Sequence, residues 1–236
     1  MRYLCQTLVL TLALAAPAMA DQTLTVGTTG DYPPVTVRDP ESGAYRGRAI
    51  ELIEAFAAAE GMAVTFVPTT WATMMEDLAS GRFRIAAGGI SKTAKRAEEA
   101  LLSDPVATTG KVALVRAADA ATYTSLDAIN RPGVRVVENR GGTNEPFALT
   151  RIDRAVVIIV PDNAMAFAYL EKGEADVMFT DAEEAVWRQS RGEGLAAVNP
   201  DKPYTHSEKV FLFGKGEAAL RDRFNAWLGE HGGESE

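Results

Sequence analysis

Cysteine and histidine are nearly absent from this chain: Cys5 is its one cysteine, and His206 and His231 are its two histidines. Cys5 falls in residues 1–20, where Arg2 precedes the apolar run LVLTLALAAPAMA, the order of charge, short apolar core and small residues found in a secretory signal. Cleavage is expected after Ala20. The exported product then has no thiol for a disulfide or a nucleophile. It also lacks an HExxH pair, a His–carboxylate ligand spacing and a GxSxG elbow, which removes the usual agents of metal hydrolysis and of triad chemistry. Basic residues are in deficit too, 24 against 32 acidic, for a formal charge of -8. A chain of that balance is a poor partner for nucleic acid or an anionic membrane, both of which reward clustered Lys and Arg. A small anionic ligand is still admissible. No second apolar run is long enough to span a bilayer, so no membrane insertion of the mature chain is expected.

Removing twenty of the 236 residues leaves 216, enough for one large domain or two smaller lobes. Hydrophobic residues make up 47% of the chain, ample for a core, and no low-complexity tract interrupts it. TLTVGTT, AVTFVPT and RIAAGGI read as strands, and AIELIEAFAAAEGM and ATMMEDLASG as helices between them. That alternation predicts parallel βαβ units in an α/β fold. In the first helix Leu52, Ile53, Phe56 and Ala57 form a core face, and Gly61 is a plausible stop.

A quasi-repeat follows. LASGRFRIAAGG, from Leu78, and LEKGEADVMFTD, from Leu170, share a helix end, a Gly turn and a strand, with Leu78/Leu170 and Gly81/Gly173 at the same offset. The simplest reading is two similar lobes, each presenting strand ends to a cleft, where open sheets place ligands. GKVALV near Lys111 and EKVFLF near Lys209 read as strands crossing between the lobes. The expected division is residues 1–20 as signal, 21–112 with 208–236 as a discontinuous first lobe, and 113–207 as the second. Into this pattern FTDAEEAVW sets three carboxylates, Asp181, Glu183 and Glu184, just after an apolar strand. Acids at a helix start are common because the helix dipole favours them, so a purely structural role is one reading and a working carboxylate the other. NRGGTNEPF lacks the ending of a phosphate loop and reads as a Gly-rich turn into a helix whose amides can hold a carboxylate.

GTTGDYPPV, GRAIEL, GGISKTAKR, SDP and NRGGTNEPFA resemble the periplasmic amino-acid-binding proteins of ABC importers. More narrowly, TTGDY, PTTWATMMED, GGTNEPFA, VPDN, GEADVMFTDAEEA and EKVFLF are similar to the cyclohexadienyl dehydratases, exported enzymes built on that two-lobed, type II binding-protein fold. The resemblance implies a periplasmic lyase that needs no cofactor and acts on prephenate, and usually arogenate, with loss of water and carbon dioxide. It implies Glu184 as the general acid and Glu183 as a solvated neighbour. Asp181 matches the carboxylate that holds a ligand ammonium in the binders, and Arg96 the arginine that holds the ligand carboxylate. Tyr32 and Trp71 are candidate cleft aromatics, or else partly buried packing. Ser91, Thr143 and Asn144 are candidate hydrogen-bond donors to the substrate carboxylates, with helix capping as the other reading of Thr143 and Asn144. Asp31 is either a second acid or a turn residue before Pro33 and Pro34. The resemblance leaves a second function open, delivery of an amino acid to an ABC importer, because carrier and enzyme share one fold.

Overall fold

A computed structural model describes residues 23–231, so the expected signal segment lies outside the described residues. Two large sheets of matching design dominate the described residues, with a small antiparallel sheet of Asp31–Tyr32, Thr36–Arg38 and Tyr45–Arg46 as a third. The first runs in the order Ala63–Pro68, Thr23–Thr28, Ile85–Ser91, Ser207–Phe213, Leu101–Leu102, with Ala107–Thr109 also pairing with Ser207–Phe213. The second runs Val156–Val160, Arg135–Asn139, Val177–Asp181, Lys111–Arg116, Leu195–Val198. In each, the first three strands are parallel and the fourth is antiparallel to the third. GKVALV and EKVFLF are therefore not strands shared between lobes, as their sequences suggested. Each is the antiparallel member of one sheet, a place their apolar runs suit because both faces are covered. On sheet membership we place the crossings between the lobes at Gly110 and within residues 199–206.

The first helix packs largely as its spacing predicts, although Leu52, expected on the core face, is only partly buried and Ala49 and Ile50 are buried instead. Arg48–Ala59 buries Ile50, Ile53, Phe56 and Ala57, and the Phe56 ring meets Phe224 of the last helix, Ala218–His231, edge to face at 5.1 Å. Gly61 (φ +67°) ends the first helix: its N–H donates to the Ala58 carbonyl at 3.1 Å and Met62 N–H to Ala57 at 2.8 Å. This double bond to the last turn requires a left-handed residue, which glycine adopts without Cβ strain. The quasi-repeat is the same device used twice more. Gly81 donates to Leu78 and Arg82 to Asp77, as Gly173 donates to Leu170 and Glu174 to Tyr169. Each turn feeds a parallel strand whose far end faces the cleft, at Ser91 in one lobe and Asp181 in the other. No helix among the described residues is long and apolar enough to cross a membrane.

The Gly-rich turn of the second lobe lies directly against backbone of the first. A Cβ on Gly141 (φ +87°) would lie 2.4 Å from Ala72 Cα and 2.7 Å from Trp71 C, backbone atoms of the opposite lobe that have no rotamer to yield. Gly141→Ala is expected to leave both lobes folded while holding the cleft open. Small-angle scattering with saturating ligand should show the variant more extended than the wild type. A variant as compact as the wild type would mean that the turn gives way to the methyl without opening the cleft.

Candidate active site

Register brings the cleft's charges together. Directly opposed residues of an antiparallel pair project their side chains to one face. Lys111 stands opposite Asp181, and Lys209 opposite Ser91. Asp181 Oδ1 accepts from Lys111 Nζ at 2.9 Å, while Oδ2 accepts from Tyr32 Oη at 2.7 Å and from Lys209 Nζ. Lys209 Nζ also donates to Ser91 Oγ at 2.8 Å. Ser91 and Lys209 belong to the first large sheet and Tyr32 to the small sheet that shares its core, whereas Asp181 and Lys111 belong to the second large sheet, so this network spans the cleft. Its charged members are buried: Lys111 is 4% exposed, Lys209 3% and Asp181 2%. Burial alone would raise the Asp181 carboxyl, but the charges of Lys111 and Lys209 outweigh it and hold Asp181 well below the usual carboxylate range. Burial brings Lys209 down to about 8, against the pull of Asp181. The resemblance made Asp181 the partner of a ligand ammonium, whereas here both of its oxygens already serve donors of this chain.

Three residues further on, Glu184 titrates the other way. It lies in the first turn of the helix Ala182–Ser190, for which Asp181 is the N-cap, yet the Asp181 side chain makes no capping bond because it is turned into the ion network. Glu184 is fully buried. Thr180 Oγ1 donates to its Oε2 at 2.6 Å, and Asn163 Nδ2 lies 3.3 Å from its Oε1. Desolvation lifts the carboxyl to about 8, overcoming the Thr180 hydrogen bond and the Arg188 charge, with Asp31 and Asp181 adding repulsion. The dipole that favours an ionised acid at a helix start is therefore outweighed by burial. Glu183, expected to be solvated, instead meets Arg48 of the first lobe at 2.6 Å. The strand carrying these acids is held by a further buried carboxyl: Glu138 Oε1 accepts from Phe179 N at 2.7 Å.

Between the lobes lies a cavity lined by seven of the eight residues the sequence put forward: Tyr32, Trp71, Ser91, Arg96, Thr143, Asn144 and Asp181. The eighth, Glu184, lies behind it, in contact with Asn163, which does line it. Tyr32 and Trp71 meet edge to face at 6.2 Å, and Trp71 Nε1 donates to Asp31 Oδ1 at 3.0 Å. Burial raises the Asp31 carboxyl. Arg96 Nη1 donates to the Ser91 carbonyl at 2.6 Å. Burial lowers its guanidinium to about 10, still charged at neutral pH. Thr143 is the N-cap of the helix Asn144–Arg151, but its side chain makes no capping bond and is left for the cavity. Lys111, Lys209, Asn139 and Asn163 also line the cavity and were not singled out from the sequence as site residues. The signal for the two lysines was in view, since each stands at or near the head of an otherwise apolar strand.

A two-lobed α/β protein with a polar cavity between like sheets is a protein of the solute-binding class. Residues 24–233 match the bacterial extracellular solute-binding proteins, family 3, and the chain belongs to that family. It is 37% identical over 205 residues to a cyclohexadienyl dehydratase of Pseudomonas aeruginosa, covering 87% of this chain and 76% of that protein. It is 27% identical over 222 residues to the L-cystine-binding protein TcyA of Bacillus subtilis, covering 88% and 75%. Among solved structures, the ancestral amino acid-binding protein AncCDT-1, a precursor of cyclohexadienyl dehydratase, superposes with a TM-score of 0.83 at 33% identity over 90% of each chain.

Glu184 also predicts a pH-dependent stability. Its folded value, about 8, lies above the ordinary 4.5, so its neutral form stabilises the fold below pH 4.5 and that contribution is lost as pH rises through about 8. Glu184→Gln has no proton to lose, and its melting temperature relative to wild type is expected to rise between pH 4.5 and pH 8. The gain should amount to roughly 2–5 kcal/mol by linkage. A constant difference across that range would show that Glu184 titrates normally.

Proposed function

We propose that the chain is an exported, periplasmic dehydratase that converts prephenate to phenylpyruvate, and arogenate to phenylalanine, with Glu184 as general acid. The observation that carries this reading is the charge balance of the cavity. Arg96, Lys111 and Lys209 line it against one ionised carboxylate, Asp181, leaving two positive charges. Prephenate carries two carboxylates. Arogenate carries the same two and an ammonium, for which Asp181 is already engaged, so prephenate is the better match. Arg96 suits one carboxylate as a fork, and the turn Gly142–Thr143 at the start of Asn144–Arg151 presents donors to the other.

The reaction needs little beyond orientation and a proton. The ring C–O bond breaks as Glu184 protonates the departing hydroxyl, which leaves as water. The bond to the ring carboxylate breaks with it, carbon dioxide leaves, and the electron pair completes the aromatic ring. A positioned acid contributes about 100- to 10,000-fold, and clamping the substrate supplies a further large share. Glu184 is suited to this because its burial keeps the proton in place at neutral pH. Similarity to a cyclohexadienyl dehydratase over most of the chain supports the reading. Delivery of an amino acid to an ABC importer is the second reading, favoured by the family itself and by relatives such as the cystine-binding protein. Against it stands Asp181, whose oxygens are committed to Tyr32, Lys111 and Lys209.

Ultraviolet absorbance of the purified protein with prephenate separates the two, and phenylpyruvate is expected to form at neutral pH. Inert prephenate together with tight binding of an amino acid would establish the carrier. The acid must be protonated, so kcat/KM should hold below pH 7 and fall as pH rises through about 8, where Lys209 also begins to lose its charge. Glu184→Gln should fold and lose on the order of 100-fold or more in kcat. Wild-type turnover in that variant would move the acid role to Asp31. Arg96→Met should raise KM for both substrates by about 10-fold or more with a smaller effect on kcat. Unchanged kinetics would make Arg96 a bystander.

A further inference from the structure

Asn163 opens the helix Asn163–Glu171, but the cap is supplied by Asp162, whose side chain accepts from Met165 N at 2.8 Å. Freed from capping, the Asn163 side chain turns to the cleft, where the residue is 2% exposed. Nδ2 donates to the Asp31 carbonyl of the first lobe at 3.0 Å and lies 3.3 Å from Glu184 Oε1. A backbone carbonyl only accepts, so the Asp31 contact fixes which end of the amide is nitrogen. Oδ1 is then buried without a partner among the described residues, on a residue that lines the reaction cavity. A buried acceptor in that condition is destabilising until something donates to it. Thr180 holds Glu184 Oε2, while Oε1 is the oxygen beside Asn163, the residue that lines the cavity.

We propose that Asn163 holds the substrate's leaving hydroxyl, Oδ1 accepting the hydroxyl's own proton while Glu184 Oε1 gives its proton to the hydroxyl oxygen. The proposal rests on the dehydratase reading and adds to it a second residue in contact with the reacting atoms. As the C–O bond breaks, its electron pair goes to the oxygen, which takes the Glu184 proton and departs as water. The pair from the lost carboxylate bond enters the ring. Glu184 is left ionised and regains a proton from solvent. Asn163 neither gains nor loses one; it aims the oxygen. Because Nδ2 is tied to Asp31 of the opposite lobe, that aim is set only when the cleft is closed.

Steady-state kinetics with prephenate, set beside the affinity for phenylpyruvate, test this. Phenylpyruvate has no ring hydroxyl, so losing Asn163 Oδ1 should cost turnover of prephenate well beyond any loss of phenylpyruvate affinity, which only the inter-lobe bond from Nδ2 to Asp31 can cause. Asn163→Ala is expected to lower kcat by about 10- to 100-fold, the range for losing one positioned polar contact in a transition state. The alkaline limb should also move to higher pH, because the lost Nδ2 donor had favoured the ionised form of Glu184. Asn163→Ser, which suits a helix start, should show the same pattern and serves if the Ala variant does not fold. Unchanged kcat, or a parallel loss of phenylpyruvate affinity and kcat with an unmoved pH limb, would overturn the assignment and leave Asn163 a packing residue. A wild type inert toward prephenate would overturn the dehydratase reading and this proposal together, whereas an active wild type with silent Asn163 variants overturns this proposal alone.

Discussion

Everything in the cleft depends on a buried carboxylate, Asp181, that is shared by two lysines and a tyrosine. Taking three charges out of water is costly, and such a cluster is not by itself evidence of a stable fold. What it supplies is geometry. Lys111 reaches Asp181 from the neighbouring strand of the same sheet, while Lys209 and Tyr32 reach it from the other lobe. Opening the cleft separates Asp181 from the latter pair. Closing it gathers Lys111, Lys209 and Arg96 around a single negative charge, a repulsive arrangement that burial makes worse. An anion that binds among them relieves the repulsion, so closure and anion binding favour each other.

The same hub explains why two carboxyls one helical turn apart behave oppositely. Asp181 is ionised because cations surround it; Glu184, facing Thr180 and Asn163 instead, is neutral because little compensates its burial. Pairs of acids driven apart in this way mark a division of labour between holding charge and moving a proton. Asp181 contributes to the contrast, since its fixed negative charge disfavours a second one nearby. Replacing the hub's lysines would therefore alter the acid as well as the clamp.

Much of this was legible in the sequence. The two lobes followed from the repeat of a helix end, a glycine and a strand, because the left-handed turn at Gly81 and Gly173 has a chemical signature. The acid knot stood out because polar residues after an apolar strand are conspicuous. Tyr32, Trp71, Ser91, Arg96, Thr143 and Asn144 do line one cavity. The two lysines were seen but not used, because their place depends on antiparallel register, and nothing in GKVALV or EKVFLF says that residue 111 will stand opposite 181 or 209 opposite 91. Mistaking those strands for bridges between the lobes had the same origin. The pairing of Arg48 with Glu183 was hidden for another reason: it joins residues 135 positions apart across a cleft whose closed geometry no local pattern encodes.

A carrier and a lyase can share this fold because both need two lobes that close on a ligand, and they differ in what must happen next. A carrier has to keep its ligand unchanged, so a free carboxylate for the ligand ammonium is central to its site. Here both oxygens of that carboxylate meet the protein's own donors, which supports reading the cleft as a receptor for negative charge. On the dehydratase reading the chemistry then undoes its own binding. Prephenate enters with two negative charges to match two positive ones; phenylpyruvate leaves with one, and carbon dioxide and water carry none. The step leaves Glu184 ionised, so the closed site keeps its charge balance until that carboxyl regains a proton from solvent; half of the attraction that favoured closure is then gone, and the repulsion among Lys111, Lys209 and Arg96 returns. A site built this way needs no separate device to release its product, because the bond it breaks is attached to the charge that held the lobes together.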